Sequence, residues 1–504
     1  MFWLLIAAIL VAYVFHAIYH SKYWERKGIP GPKPTPFVGN LMEIRNQKAY
    51  SLNLAEWTKQ YGDVYGIQKG RTNILVISNP KLIKEVIVDK FEIFHARESP
   101  PSRGDPETMP RANVFSAAGK RWKRLRTLAS PAFSVANLKK VMPIIDESAD
   151  EMMKHLERRL TLNQSFDIQP FFFEFTLDVI CRAALGHERS MQFENPYRED
   201  LYYFFRHLSH PLSDLSHMIP ALWRPLRFLE MGVRRFEGVG IIPLIHGMEK
   251  AVKERQAKRN AGDVDSEPAD FIDIFLNSLQ DDVKLEKTGL YDKTDVHIEK
   301  KLSLGEVFAN CMVFLLAGYD TTANVLTFTS YFLAKHPEVQ EKLRAEIEEI
   351  CVDQSPSYEQ LNSLRYTEAV MKEALRLMPI ASAAVNRTCA QGTVLGGTIE
   401  IQQGDCIEVD VVSYHRRKDV WGEDAEEFRP ERFLEESKTE QIYGFGGGPR
   451  ICIGMRLAYL EEKMALVKLL RRYRFKAGPE TDPLTLSGTL ILSSDNMKLI
   501  VEEI

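Results

Sequence analysis

The stretch Phe445-Gly-Gly-Gly-Pro-Arg-Ile-Cys452-Ile-Gly454 places one cysteine in a glycine-rich loop. Apolar residues recur at spacings of three and four from Met455 to Arg472, which predicts a helix directly after this loop. A cysteine at a helix start lies in the positive end of the helix dipole, so we expect a lowered thiol pKa and a thiolate. The glycines would let the backbone approach a flat or bulky group, and Arg450 could pair with an anionic part of that group.

A single thiolate without a neighbouring Cys or His is unsuitable for zinc or an iron–sulfur cluster, which take about four ligands. It suits a haem iron, because the porphyrin supplies four ligands and the protein one. The alternative is a buried, inert cysteine after a glycine-rich turn.

The pattern Phe-x-x-Gly-x-Arg-x-Cys-x-Gly resembles the haem-ligand loop of the cytochrome P450 superfamily. Phe445, Gly448, Arg450, Cys452 and Gly454 occupy its fixed positions. The resemblance implies a mainly helical fold with a small β region, behind an N-terminal transmembrane helix. It also implies haem b as the cofactor, with Cys452 as the axial ligand of the iron. The residues after the cysteine most resemble the animal microsomal clan that oxidises drugs and other foreign compounds.

The composition is that of an ordinary globular protein, with 504 residues, 45% of them hydrophobic and 27% charged. A net charge of −4 gives no argument for nucleic-acid binding. The six cysteines are scattered and form no C-x-x-C pair, which favours a reducing compartment over a disulfide framework.

The chain from Phe2 to Tyr19 is almost wholly apolar and would reach about 27 Å as a helix, near the lower limit for a membrane span. Lys22, Arg26 and Lys27 follow it, which favours an uncleaved anchor with a cytoplasmic domain over a cleaved signal peptide. The resemblance implies the endoplasmic reticulum membrane. We expect a membrane anchor (1–21), a basic stop and proline-rich hinge (22–40), and a haem-thiolate monooxygenase domain (41–504).

A long apolar helix is predicted from Ser303 to His336, with Ser303 and Glu306 as a capping box. Its middle, Ala317-Gly-Tyr-Asp-Thr-Thr322, contains poor helix formers, which predicts a local break with room for a small molecule. This segment resembles the family's oxygen-activation motif. By that resemblance Thr321 would hydrogen-bond dioxygen, Asp320 would feed protons to it, and Ala317 and Gly318 would leave space above the iron. The alternative is a helix kink with satisfied polar groups.

Trp122 and Arg126 share one helix face and resemble the family pair that hydrogen-bonds a haem propionate. Lys120, Lys123 and Arg124 could dock an acidic redox partner, and a plainly solvated basic face is the alternative.

Glu373 and Arg376 are three residues apart on a predicted helix, a spacing that is common for surface ion pairs. The resemblance implies instead that they form a buried network with Arg432. That network would support the cysteine loop and would be structural.

The resemblance also implies that Arg387 binds a haem propionate and that Phe445 contacts the haem. The segment from Leu201 to Phe228 is aromatic and apolar, and is expected at the membrane interface, as the pocket roof or as core. The expected substrate-pocket residues are Phe115, Val313, Ile380, Ala381 and Leu490.

These motifs predict a monooxygenase that inserts one oxygen atom from O2 into a small lipophilic substrate: a xenobiotic, a steroid or a fatty acid. Electrons would come from NADPH through a separate NADPH–cytochrome P450 reductase, with cytochrome b5 as a further candidate partner, because the chain shows no nucleotide-binding motif. Two alternatives remain. One is a P450-type isomerase or dehydratase acting on a peroxide, and the other is a non-catalytic, membrane-anchored haem sensor.

Overall fold

The computed structural model describes residues 1–46, 49–160, 164–208, 210–262, 270–280, 291, 300–435 and 441–504. The charged stretches 250–270 and 281–301, predicted to be a solvated helix end and loops, lie partly outside these residues. The helix before the first of them ends at Asn260.

The described chain is mainly helical, with the helices numbered here in chain order. They are α1 Phe2–Ser21, α2 Tyr23–Arg26, α3 Leu41–Asn46, α4 Tyr50–Tyr61, α5 Pro80–Lys84, α6 Gly119–Ala129, α7 Val135–Arg159, α8 Gln169–Leu185, α9 Arg198–Arg206, α10 Pro211–Met218, α11 Trp223–Glu237, α12 Ile241–Asn260, α13 Phe271–Leu276, α14 Leu304–Lys335, α15 Pro337–Ile350, α16 Tyr358–Ser363, α17 Arg365–Leu377, α18 Val411–His415, α19 Lys418–Trp421 and α20 Met455–Leu470.

Short strands form a small β region. They are β1 Val64–Lys69, β2 Thr72–Ile77, β3 Phe166–Asp167, β4 Asn386–Thr388, β5 Thr393–Leu395, β6 Ile399–Ile401, β7 Cys406–Val409, β8 Tyr473–Ala477, β9 Leu486–Ser487, β10 Ser493–Ser494 and β11 Lys498–Glu503. The largest described sheet has the order β1-β2-β7-β4, and β3-β11-β8 form a second sheet. The sequence from Gly396-Gly397 through 401–404 to 405–411 predicts a hairpin. The structure confirms an antiparallel pair across Gly396-Gly397, formed by β5 and β6, but β7 pairs in parallel with β2 and antiparallel with β4.

The core is built around α14, which is buried along most of its length because its side chains are apolar nearly all round. It packs on α8, whose Thr176 hydroxyl donates to the Tyr319 carbonyl at 2.7 Å. The predicted capping box is confirmed, since the Glu306 N–H donates to the Ser303 hydroxyl at 3.3 Å and the Ser303 N–H donates to the Glu306 carboxylate at 3.0 Å.

The N-terminal helix α1 is apolar and exposed, and is one of two described helices long enough to cross a membrane. The other, α14, is mostly buried inside the protein and is therefore a core helix. The segment after α1 packs closely on the sheet: the Trp24 indole donates to the Ile67 carbonyl at 3.0 Å, and a Cβ added at Gly31 would lie 2.1 Å from the Gly66 oxygen. The proline-rich segment is therefore docked on β1 and holds α1 at a defined edge of the domain.

Candidate cofactor site

The cysteine loop is closed by its own backbone and rests on the segment after α5. The Cys452 N–H donates to the Phe445 carbonyl at 2.9 Å. Gly448 has a φ of 61°, and a Cβ there would lie 2.3 Å from the Ile87 oxygen, so only glycine fits. The predicted helix that follows is confirmed as α20.

The expectation of a lowered thiol pKa at Cys452 is wrong for the protein by itself. Burial raises the pKa of the Cys452 thiol, because a thiolate loses its hydration there. The N–H groups of Gly454 and Met455 and the charges of Arg126 and Arg97 act in the opposite direction but do not outweigh burial. Cys452 is nevertheless exposed, although surrounding protein desolvates its thiol, so the residue lines a recess rather than the outer surface.

Arg450 anchors the loop to the chain before α6. It is 2% exposed, and its guanidinium donates to the carbonyls of His95, Val114, Phe115 and Ala117. It also lies 4.5 Å from the centre of the Trp122 ring, which is itself buried. The structure thus places both predicted residues at this loop, with the Arg450 donors engaged by backbone oxygens.

A group of arginines surrounds the same recess. The Arg126 guanidinium donates to the Ile451 carbonyl at 2.8 Å, and Arg387 donates to the Gly447 carbonyl at 3.4 Å. Arg97, which sequence reasoning missed, donates to the Phe115 carbonyl at 3.2 Å and lies 4.3 Å from the Phe115 ring centre. Within the described chain, no carboxylate forms an ion pair with any of Arg97, Arg126, Arg387 and Arg450.

Among the described residues these guanidinium groups have no carboxylate counter-ion. Burial and the neighbouring Arg97 charge together lower the pKa of Arg387 to about 9, and burial lowers the pKa of Arg97 to about 10. The Nε of Arg387 is buried and has no hydrogen-bond partner among the described residues. Such a cluster needs an anionic ligand, and a group with two carboxylates would satisfy it. A single arginine in a loop carries no sequence signal of this kind, which explains why Arg97 was missed.

The predicted break in the middle of α14 is wrong, because the helix is continuous from Leu304 to Lys335. Its polar groups are satisfied locally: the Thr321 hydroxyl donates to the Ala317 carbonyl at 2.7 Å, and the Asn324 amide donates to the Asp320 carbonyl at 2.8 Å. Bonding back to the preceding turn lets threonine and asparagine remain helical.

One face of α14 is more accessible than the rest of this buried helix. Ala317 is exposed, and Val313 and Thr321 are half-buried one turn before and after it. Gly318 serves helix packing, since a Cβ there would lie 2.7 Å from the Ile180 side chain of α8. The accessible face is therefore carried by small and hydroxyl side chains.

Asp320 lies on the buried side of the same turn. Burial raises the pKa of its carboxyl to about 7, and the Asn324 amide, 3.2 Å from it, acts in the opposite direction. Asn324 in turn accepts from the Gln169 amide at 3.1 Å, which also donates to Ser493 on β10. A carboxyl with a pKa near neutral can both hold and release a proton at physiological pH.

The Glu373 carboxylate is the centre of a fully buried network. It accepts from Arg376 at 2.7 and 2.8 Å, from Arg432 at 2.9 Å and from the Arg429 N–H at 2.9 Å. Arg376 continues to the carbonyls of His415 and Ala425. The network joins α17 to the segment before the cysteine loop, and the Tyr443 N–H of that loop region donates to the His415 ring at 3.0 Å.

The predicted substrate-pocket residues come from separate segments. The Leu492 N–H donates to the Ile380 carbonyl at 2.7 Å, which brings the β9–β10 hairpin with Leu490 against the segment of Ile380 and Ala381. Ile380 itself is 4% exposed, and Phe115 lies under Arg97.

Arg124 was expected to be available for docking an acidic redox partner, but its charge is already engaged inside the protein. Its guanidinium donates to Glu306 at 2.6 Å, and its side chain is 13% exposed. Lys120 is exposed and Lys123 is half-buried.

The cytochrome P450 family model matches residues 29–501, nearly the whole chain. The chain belongs to the cytochrome P450 family. It is similar to Caenorhabditis elegans proteins named as cytochromes P450: it is 40% identical to CYP13A3 over 513 residues, which cover 98% of both chains. It is also 37% identical to CYP13A10 over 502 residues, which cover 96% of both chains.

Cytochromes P450 are haem-containing monooxygenases, and the residues of this chain fit a haem. The accessible thiol matches an iron. The arginine cluster, which has no carboxylate partner among the described residues, matches two propionates. The accessible face of α14 matches a flat ring. Within the described residues, no group of three or more His, Cys, Asp and Glu side chains could hold a metal ion by itself.

Proposed function

We propose that this cytochrome P450 inserts one oxygen atom from O2 into a small lipophilic molecule, with haem b bound between Cys452 and the Val313–Ala317–Thr321 face of α14. The arginine cluster without a carboxylate is the observation that carries this proposal, because a neutral or purely apolar cofactor would leave it unsatisfied. The haem, when bound, supplies the activation of oxygen.

The protein's own residues have separate tasks. The Cys452 sulfur binds the iron, whose positive charge would offset the burial that raises the thiol pKa. Arg97, Arg126 and Arg387 hold the two propionates, whereas Arg450 fixes the loop to backbone carbonyls. Glu373 and its arginines keep the loop in place from behind.

Proton delivery is assigned to Asp320 and Thr321. Asp320 holds a proton at a pKa of about 7 on the buried side of α14. Thr321 presents its oxygen on the accessible side, while its hydrogen is bonded to the Ala317 carbonyl at 2.7 Å. Because Asp320 and Thr321 are adjacent in the helix, a proton could pass from the protein interior to the reacting oxygen.

The substrate pocket is apolar, which favours a lipophilic xenobiotic, steroid or fatty acid. Half-buried Val313, Ala381 and Ile491 pack against the main hydrophobic core, and Leu490 precedes Ile491 at the tip of the C-terminal hairpin. A screen for shifts in haem spin state would rank compound classes by affinity.

The domain is anchored by α1 in the endoplasmic reticulum membrane and faces the cytoplasm. This division (anchor 1–21, hinge 22–40, catalytic domain 41–504) is supported by the exposed apolar helix and by the basic residues after it. Helix α11 adds an apolar face to the same proposal, with Phe228 80% and Phe236 94% exposed.

Electrons come from NADPH through NADPH–cytochrome P450 reductase, with cytochrome b5 as a second donor. Exposed Lys120 on α6 and Arg456, four residues after Cys452, give this proposal a positively charged surface for an acidic partner.

The test is the reduced carbon monoxide difference spectrum of the full-length protein. We expect a thiolate-type band that is lost in Cys452→Ala and kept in Cys389→Ala, the same change at a buried cysteine outside the loop. A band that persists without Cys452 refutes the proposed ligand. Oxygen uptake that depends on NADPH and added reductase tests turnover, and a normal band without such uptake on any substrate would favour the isomerase.

A further inference from the structure

A second recess lies between the end of α1 and the turn that joins β1 to β2. Its walls come from α1, the proline-rich segment, the β1–β2 hairpin and the end of α10. The Tyr13 hydroxyl donates to the Met218 carbonyl at 3.3 Å, and the Gln68 amide donates to the His20 carbonyl at 2.9 Å. These contacts fix α1 against the domain at this point.

The turn that forms the floor of the recess is rigid. The Arg71 N–H donates to the His217 carbonyl at 2.9 Å, and the Gly70 N–H donates to the Val38 carbonyl at 3.0 Å. Gly70 has a φ of 57°, and a Cβ there would lie 2.5 Å from the His217 backbone. The Arg71 side chain therefore starts from a backbone held on both sides.

The recess presents hydrogen-bond donors without an acid to satisfy them. Arg71 Nη2 lies 2.7 Å from His16 Nε2. Because a guanidinium only donates, His16 accepts through Nε2 and keeps a donor N–H at Nδ1. The lining residues include no Asp or Glu, and among the described residues no carboxylate forms an ion pair with Arg71. The Thr35 hydroxyl adds a further polar group to the wall.

The position of these donors along the chain indicates what they bind. Exposed apolar residues of α1 continue to Tyr19, and His16, three positions before that end, is the first polar residue of the helix. Lys22 and Arg26 follow within ten residues. In an anchored protein, which rests on the proposed function, this boundary lies at the level of the lipid headgroups. Tetrahedral phosphate oxygens are strong acceptors for a guanidinium.

We propose that this recess binds the phosphate group of a membrane phospholipid whose acyl chains run beside α1. Arg71 supplies the charge and His16 the second donor, and the rigid turn keeps both in place. Bound lipid would thereby fix the angle between the anchor and the catalytic domain.

The experiment uses the full-length protein in phosphatidylcholine vesicles with a trace of spin-labelled phosphatidylglycerol, and measures the immobilised lipid fraction. We expect Arg71→Gln to weaken this binding by roughly tenfold or more, as for the loss of a charge-assisted hydrogen bond. The matched control is Arg158→Gln, an equal charge change at an exposed position of α7, which should leave binding unchanged. Equal binding by Arg71→Gln and the wild type, or equal loss in both variants, overturns the proposal.

A competition arm separates the phosphate from the acyl chains. Displacement of the labelled lipid by glycerol 3-phosphate supports recognition of the phosphate, whereas no displacement at saturation assigns the binding to the chains and refutes the site. If the wild type does not float with vesicles, the proposed anchoring fails. Glycerol 3-phosphate binding to the wild type and to Arg71→Gln in solution then decides the site by itself, and equal binding or none would overturn it.

Discussion

Replacing Arg387 by methionine should change the stability of the haem-free protein and the retention of haem in opposite directions. Arg387 is 2% exposed, its Nε has no partner among the described residues, and its remaining contacts are backbone carbonyls. Methionine keeps much of the side-chain length and removes the charge.

The size of the effect follows from the pKa of the guanidinium. Burial and the Arg97 charge lower this pKa from its ordinary value to about 9, and that difference corresponds to ~5 kcal/mol at about 1.4 kcal/mol per pH unit. Water entry and relaxation reduce such costs, so about 2–3 kcal/mol is the expected gain in unfolding free energy. Because the folded pKa is lowered, the cost is complete below pH 9 and declines only as the pH rises from there towards the ordinary pKa of a guanidinium.

Two measurements check this prediction. Urea unfolding of haem-free protein at pH 7 should show Arg387→Met to be more stable than the wild type. Haem transfer to an acceptor globin should be roughly tenfold or more faster from the variant, because one charge-assisted bond to a propionate is lost. The control is Arg432→Met, which removes an equally buried but fully paired arginine and should destabilise both forms by ~3–5 kcal/mol. A variant that is less stable without haem, or that retains haem as the wild type does, would refute the reasoning.

The remaining predictions concern α14 and α20. Asp320→Asn should gain stability relative to the wild type as the pH rises from 3.8 to about 7, because the folded carboxyl keeps its proton while the unfolded one ionises. Unfolding free energies measured from about pH 3 to 9 should show the difference between the two proteins growing up to about pH 7 and staying constant above it. A difference that does not change with pH contradicts the raised pKa. Glu462→Met should raise the unfolding free energy by ~1–3 kcal/mol at pH 7, because both carboxylate oxygens are buried without a described hydrogen-bond partner and burial raises the pKa of this group; a lower melting temperature by calorimetry would contradict it. Gly318→Val should lower the free energy of unfolding by ~1–3 kcal/mol, because the added side chain forces α14 away from Ile180 of α8. The control is Ala317→Val on the accessible face, which should alter substrate-induced spectral shifts more than the melting temperature.

Much of the fold could be predicted from local patterns. The apolar helix at the N-terminus, the capping box at Ser303 and the helix after Cys452 are confirmed within one to three residues at most ends. Each depends on neighbours in sequence, such as a cap or a regular apolar spacing, so the sequence carries the signal directly.

The wrong predictions share one physical cause: local sequence patterns do not show how deeply a residue is buried or which distant residues it contacts. The dipole argument for Cys452 was correct in sign, but desolvation by surrounding segments outweighs it. The middle of α14 contains poor helix formers, yet contacts with α8 and bonds to the preceding turn keep it helical. Arg124 is engaged by Glu306, about 180 residues away in the chain.

The sequence by itself determined the family, the cysteine proposed to bind a haem iron, and the apolar helix that precedes the domain, because each rests on a contiguous motif. Only the tertiary structure decided which arginines meet around that cysteine, that Arg97 is among them, and that Arg450 is committed to backbone oxygens. It also decided that α1 and the β1–β2 turn enclose a recess with Arg71 and His16. Side chains from distant segments come together only when the chain folds, and charges acquire their energies from that environment.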